Sequence, residues 1–392
     1  MQQPVGELPP PDAAALELSA RLRAQILAAI DAAGGVLPFD RYMELALYAP
    51  GLGYYSNGLR KFGSGGDFVT APELGDLFGR CLARAVAPVL AASGGDLLEL
   101  GAGSGVLAVD LLHELKALDA LPGRYLILER SGDLRARQQA RLAAALDELP
   151  VEVQWLDGLP APGFEGVILG NEVVDALPVK RFRWQPQGSV ELGVGRDGDD
   201  LLEATLPVSE PRLQHHIDAQ ASRCGWAPGY ESEWCPSLAA WVGSLGEILA
   251  RGLLLFTDYG YGRPEYCHPQ RARGTLLCHY RHRAHPDALW LPGLQDITAY
   301  VDFTALAEAG AAAGLELAGY TSQAHFLLDC GLESIVAELD PGDTRNWLRK
   351  VSEMKTLVMP GEMGERFKAM AFGKGIDVAP AGFGGRDLRG TL

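Results

Sequence analysis

The segment Glu99-Leu100-Gly101-Ala102-Gly103-Ser104-Gly105 constrains the fold more than any other stretch of the chain. It completes a short apolar run, Asp96-Leu97-Leu98-Glu99-Leu100, and precedes residues 106–118, whose apolar positions recur at helical spacing. Three glycines at alternate positions let the backbone turn tightly and approach a ligand, and the helix behind them offers free N–H groups at its N-terminus. A strand, a glycine turn and a helix in that order open a βαβ unit.

The alternation continues with YLILE at 125–129, a helical 133–146, VEVQWL at 151–156 and GVILG at 166–170. Strands separated by helices predict a parallel sheet. Between about 178 and 235 the short alternating segments KRFRW, VELGV and LLEATL predict an antiparallel insertion. The main sheet then resumes with a helix near 237–250, the buried strand LLLFT at 253–257, a long loop over 258–298, a helix near 302–313 and LELAGYT at 315–321. A helical stretch at 344–371 and a Gly-rich, mobile tail close the chain. Ahead of the core, residues 12–33 carry helical spacing, and the aromatic, Gly-rich text from Pro38 to Pro72 reads as a cap or lid. The predicted fold is therefore α/β: a Rossmann-like sheet with helices on both faces, an N-terminal helical and aromatic cap, and an antiparallel insertion after the fourth strand. The expected divisions are 1–92 (helical and cap region), 93–177 (ligand-binding core), 178–236 (insertion), 237–375 (remainder of the core with a substrate loop and C-terminal helices) and 376–392 (flexible tail).

At 392 residues and 47% apolar composition the chain buries a real core, as one large domain or two interlocked ones at roughly 150 residues each. Its 34 basic and 50 acidic side chains leave a charge of −16, which opposes nonspecific binding to nucleic acid or anionic lipid. Six scattered cysteines do not make a disulfide scaffold and point to a reducing compartment. The residues before Arg21 are acidic rather than basic, and no apolar run reaches the ~18 residues of a membrane span. The expectation is a cytoplasmic protein with no nucleic-acid partner and no membrane insertion. The residues leave open whether it forms a homodimer.

The glycine spacing decides among ligands. Dinucleotide sites use GxGxxG with a pyrophosphate on the helix end. Here the spacing is GxGxG with Glu99 two places before Gly101, which is similar to the first motif of S-adenosyl-L-methionine (SAM) methyltransferases. An ammonium and a sulfonium, with no pyrophosphate, suit nearby carboxylates; a turn serving only close packing is the other reading. Glu129, at the tip of the second strand, is placed to accept hydrogen bonds from both ribose hydroxyls. Asp157 has the matching position on the third strand and either faces the adenine or simply forms a turn in LDGLPAPG. At the end of the fourth strand stands Gly170-Asn171-Glu172-Val173-Val174-Asp175. If a helical turn begins at Asn171, Glu172 and Asp175 fall on one face at i, i+3 and suit a guanidinium, whose planar fork matches carboxylate geometry. Acids favoured in a first helical turn are the alternative.

The chain resembles the MidA family of SAM-dependent methyltransferases. The matching text runs from about Pro38 to Gly373: YMELALYAPGLGYY, GDFVTAPE, LLELGAGSG, GNEVVDALPVKRF, DYGY at 258–261, YRHR at 280–283, DITAYVDF at 296–303 and FLLDCGL at 326–332. The resemblance implies that Gly101, Gly103, Gly105 and Glu129 bind SAM, and that the Asn171-Glu172 edge and the GDF segment at 66–68 line the reaction site. It further implies a protein substrate methylated on arginine and a link to complex I assembly. Glu172 and Asp175 are the candidates for orienting the guanidinium, with Asn171 beside them; Asp67 and Asp258 are further candidates. Tyr300 stands where the family commonly has His, and with an ordinary pKa of about 10 it donates a hydrogen bond rather than acting as a base. Cys267, His268, Cys278, His279, His282 and His285 match no familiar zinc spacing, and arginines interleave them, so no metal is expected. Other classes remain: a SAM-binding assembly chaperone docking through the aromatic segment 48–68, a small-molecule methyltransferase, and an NAD-dependent oxidoreductase, which the glycine spacing disfavours.

Overall fold

The computed structural model describes residues 8–59, 70–146, 149–208, 210–340 and 342–392. The chain divides into two units, each assembled from three segments. The first comprises Met1–Val69, Asp175–Leu238 and Pro264–Tyr300, and the second Thr70–Val174, Ala239–Arg263 and Val301–Leu392.

The second unit is built on an eight-stranded sheet. Its strands in chain order are β1 (Asp96–Leu100), β2 (Arg124–Leu128), β3 (Glu152–Leu156), β4 (Phe164–Asn171), β5 (Leu249–Tyr261), β6 (Val301–Asp302), β7 (Glu316–Ser322) and β8 (Phe367–Lys374). The spatial order is β7-β8-β5-β4-β1-β2-β3, with β6 pairing the end of β5. β1 to β5 are mutually parallel, and Leu98 lies between Leu126 of β2 and Ile168 of β4. β8 runs antiparallel between β5 and β7. The order reverses at β1, between β2 and β4, and open sheets of this kind bind ligands beyond the carboxyl ends of the strands at that point.

Both faces of the sheet are covered, which is why its central strands read as continuous apolar runs. Side chains alternate along a strand, so Leu97, Ile127, Val167, Leu169, Leu253 and Leu255 join one core with the helices Leu77–Ser93 and Val106–Ala117. The other face is closed by the helices Leu238–Ile248 and Phe303–Ala312, where Trp241 packs on Phe256 and Phe303 on Tyr320 at 5.4 and 5.3 Å between ring centres. Fully burying each such aliphatic side chain contributes about 1.5–3 kcal/mol.

The first unit holds the helices Ala13–Ala32 and Phe39–Tyr48 against an antiparallel sheet formed by Leu37–Pro38, Lys180–Arg183, Val190–Asp197, Asp200–Pro207 and Glu231–Trp234. Leu22, Ile26, Ile30, Phe39, Tyr42 and Met43 supply its core.

Several expectations are corrected. The helical 344–371 is a helix only over Thr344–Val358; Pro360 and Gly361 follow, and the chain then enters β8, whose Ala369–Phe372 are buried on both faces. The expected loop 258–298 contains a three-stranded antiparallel sheet of Leu277–Tyr280, Arg283–His285 and Asp296–Thr298. The insertion includes a helix, Pro211–Cys224, which buries Leu213 and Ile217. The division at 92 cuts through the helix Leu77–Ser93, whose buried face belongs to the second unit's core. The tail after 375 is not a loose end: Phe383 packs on Phe326 at 5.3 Å, and the Leu388 N–H donates to the Tyr320 carbonyl at 2.8 Å. No described helix is long and apolar enough to cross a membrane.

Candidate active site

The glycine turn after β1 takes left-handed backbone at all three glycines, with φ of 66° at Gly101, 53° at Gly103 and 80° at Gly105. The left-handed conformation favours glycine at Gly105, and a Cβ there would lie 2.9 Å from Leu142 Cδ1, so that the Leu142 side chain would have to shift. Gly105 caps the helix Val106–Ala117, and the Gly101 N–H donates to the Leu128 carbonyl of β2 at 3.0 Å. The result is a backbone cradle of left-handed glycines at the sheet's switch point.

Two carboxylates flank it. Glu99 on β1 is buried and accepts a bond from the Tyr125 hydroxyl at 2.8 Å; burial pushes its pKa up to about 7, opposed by the Tyr125 bond and assisted by nearby Glu129. Glu129 follows β2 immediately, and both its oxygens are engaged, one by the Ser131 N–H at 2.9 Å and the other by Gln138 Nε2 at 3.0 Å. A third acid, Glu73, lies on the short helix Ala71–Leu74 and accepts the hydroxyl proton of Ser104 in the glycine turn. Asp157, after β3, is nine-tenths exposed and pairs with Arg135 at 2.8 Å.

At the end of β4, Asn171 lies opposite Thr257 of β5, whose hydroxyl donates to Asn171 Oδ1 at 2.8 Å. Asn171 Nδ2 then donates to Glu172 Oε1 at 3.3 Å. No helix begins here: Glu172 takes φ of 51°, and Asp258, buried at the end of β5, accepts the Val174 N–H at 2.9 Å to hold the turn. The expected i, i+3 pairing of Glu172 with Asp175 on one helical face is therefore corrected, because a left-handed residue breaks that periodicity. Asp258 is a buried support of this turn.

Asp175 belongs to the first unit. It is buried, its carbonyl accepts the Ala299 N–H at 3.1 Å, and its charge is among those that raise the pKa of Tyr55, after burial, Asp296 and Tyr48. Tyr55 donates to Asp296 Oδ1 at 2.9 Å and stacks on Tyr48 at 5.6 Å, so that part of the aromatic segment 48–68 lies within electrostatic reach of this acid. Asp67, the whole GDF segment and the rest of 48–68 beyond residue 59 lie outside the described residues. Tyr300 is half-buried and its N–H donates to Thr275 Oγ1 at 3.2 Å. In the Cys/His segment, Cys278 and His285 lie opposite one another on adjacent strands. His279, half-buried, has its pKa pushed down to about 4, chiefly by burial.

Sequence reasoning missed Glu73 and Gln138. Glu73 sits inside the GDFVTAPE text but has no spacing that marks it; Gln138 interrupts the buried stripe Leu134, Gln138, Leu142, which is a readable signal. The cradle suits SAM on the chemistry of its groups: glycine backbone that admits a ligand closely, and carboxylates at the tips of adjacent strands for hydroxyl and ammonium donors.

Comparison with known proteins agrees. Residues 81–321 match a family of S-adenosyl-L-methionine-dependent methyltransferases. A protein of Burkholderia thailandensis solved with S-adenosyl-homocysteine bound is 47% identical, with a TM-score of 0.94 over 98% of this chain and 100% of that one. The Caenorhabditis elegans mitochondrial protein arginine methyltransferase NDUFAF7 homolog is 28% identical, covering 96% of this chain and 93% of its own length. Human mitochondrial protein arginine methyltransferase NDUFAF7 is 27% identical, covering 86% and 80%.

Proposed function

This chain belongs to the MidA family of SAM-dependent methyltransferases, and from that premise we propose that it methylates an arginine guanidinium of a protein substrate. The observation that carries the acceptor assignment is Glu172, a carboxylate held by a left-handed turn at the carboxyl end of β4, with Asn171 bonded to it at 3.3 Å. The names of the curated relatives support the same acceptor.

Gly101, Gly103 and Gly105 would hold the donor against the backbone, Glu129 its ribose, and Glu99, once ionised above its raised pKa of about 7, would add negative potential beneath the turn. When bound, SAM supplies an electrophilic methyl carbon on a sulfonium that leaves as a neutral thioether. The chain's own residues then have mostly positioning to do. A guanidinium is protonated near neutral pH, with a pKa above ~12, and its proton is lost as or after the new N–C bond forms. Glu172 is assigned to orient the fork by paired hydrogen bonds and to hold the positive charge there, with Asn171 fixing the carboxylate. Asp175 is assigned no role shared with Glu172; its acidic and aromatic surroundings remain a second candidate for binding cationic substrate groups. Asp157 is assigned a place at the adenine end of the cradle, and Asp67 keeps only the role in the reaction that the family resemblance implies.

We further infer the cytoplasmic placement and reducing setting expected from the cysteines, all six of which are free thiols, although the relatives are mitochondrial proteins. The link to complex I assembly that the family resemblance implies is proposed with it. Labelled SAM incubated with cell extract, followed by mass spectrometry of arginine in cells with and without the protein, tests the acceptor. Label on protein arginine is expected. Label confined to small molecules would replace this reading, and no label at all would favour an assembly chaperone.

A further inference from the structure

The helix Gly132–Ala145 buries three side chains, Leu134, Gln138 and Leu142, at i, i+4 and i+8. A primary amide in the middle of an apolar stripe is unfavourable unless its hydrogen-bonding atoms are satisfied. Gln138 is fully buried at 0% exposure, and three bonds account for its presence. Trp155 Nε1 of β3 donates to Gln138 Oε1 at 2.9 Å. Gln138 Nε2 donates to the Gly103 carbonyl at 2.9 Å and to Glu129 Oε2 at 3.0 Å. An indole N–H only donates, so Trp155 decides which end of the amide is oxygen and leaves the NH2 group facing two acceptors.

These partners stand on three different parts of the sheet: the turn after β1, the residue after β2, and β3 itself. One side chain therefore ties the glycine cradle to the acid beside it. Glu129 is held at both oxygens, since Ser131 N–H takes the other at 2.9 Å, and Ser131 also caps the helix that carries Gln138. A carboxylate fixed in this way recognises ligand hydroxyls in one direction, and a site built to bond a hydroxyl rejects an analogue that lacks it.

We propose that Gln138 is a positioning residue for the methyl donor: oriented by Trp155, its amide locks Glu129 and the Gly103 turn into the arrangement that reads the donor's ribose. The inference rests on the reading that Gly103 and Glu129 hold SAM. It places the ribose selectivity of the site in a residue that does not touch the ligand, and makes that selectivity depend on the ring of β3.

The test uses calorimetric titration of the full chain with S-adenosylhomocysteine and with its 2′-deoxyribose analogue. The wild type is expected to prefer the ribose form by roughly 10-fold or more, the factor a hydrogen bond to a charged group supplies. Gln138→Met should weaken S-adenosylhomocysteine roughly 10-fold and collapse the preference toward unity, because an unoriented Glu129 no longer distinguishes the hydroxyl. Trp155→Phe, which leaves every cradle group in place, should reduce the preference without abolishing binding, and stands in for Gln138→Met if that variant does not fold. A wild-type preference retained in both variants would overturn the positioning role while leaving the donor site intact. Equal wild-type affinity for the two ligands would overturn the ribose assignment of Glu129. No wild-type binding of S-adenosylhomocysteine, or unchanged binding in Gly103→Val, would remove the donor reading on which the inference stands.

Discussion

The Glu172 N–H donates to the Thr257 carbonyl at 2.8 Å while Glu172 holds φ at 51°. A non-glycine residue in left-handed backbone costs about 1–2 kcal/mol, and it persists where surrounding bonds over-determine it. Here the Thr257 hydroxyl on Asn171 and the Asp258 carboxylate on the Val174 N–H do so. The strain sits on the carboxylate assigned to the acceptor.

Glu172→Gly should therefore melt at or above the wild-type temperature, with up to about 1 kcal/mol gained, while methyl transfer falls at least about 100-fold. Glu172→Ala should likewise lose transfer and retain S-adenosylhomocysteine affinity. Melting curves read beside a labelled-methyl assay check both, and wild-type turnover in either variant would refute the assignment.

Gly103→Val places a β-branched side chain at φ of 53° in the cradle. The substitution should abolish S-adenosylhomocysteine binding. Gly105→Ala should cost about 1–2 kcal/mol of stability from its left-handed φ and from the 2.9 Å approach to Leu142. Calorimetry and urea melts measure the two effects.

Glu99 predicts a pH dependence. Its pKa rises from 4.5 to about 7 on folding because burial disfavours the charge, so the folded state binds the proton more tightly than the unfolded one. The stability this supplies is fully present below pH 4.5 and is lost as pH rises through about 7. Asp110, raised from 3.8 to about 7, also chiefly by burial, adds a slope of the same sign. Glu99→Gln should flatten the fall in ligand-free stability across that window by a few kcal/mol at most, at about 1.4 kcal/mol per pKa unit. A slope unchanged from wild type would contradict it.

Phe383→Ala removes the ring that packs at a tilt against Phe326, 5.3 Å between ring centres. Since Phe383 is only partly buried, the loss should be about 2 kcal/mol, below the range for a fully buried ring. S-adenosylhomocysteine affinity measured on the folded variant should stay at wild type.

Local rules made much of the sheet legible. β1, β2, β4 and β5 appear as short apolar runs ahead of glycines, acids or turns, because both faces of a parallel strand are covered. β8 was missed for the same reason inverted: Lys368-Ala-Met-Ala-Phe372 has no β-branched residue, and continuous burial is compatible with a helix. Among the candidate site residues, the cradle glycines and Glu129 are readable from strand ends. Glu73 was not, since its bond to Ser104 joins residues 31 positions apart.

The amino-acid order alone determined the strand–turn–helix unit, the glycine cradle and the acid that follows β2, because steric freedom and apolar periodicity act within a few residues. Tertiary structure decided what those groups do. It turned Glu172 left-handed through a bond to a strand 85 positions away, set Asp175 in a different unit, and oriented Gln138 by an indole on β3. Hydrogen-bond partners and desolvation depend on which distant segments meet, and a linear pattern does not encode that meeting.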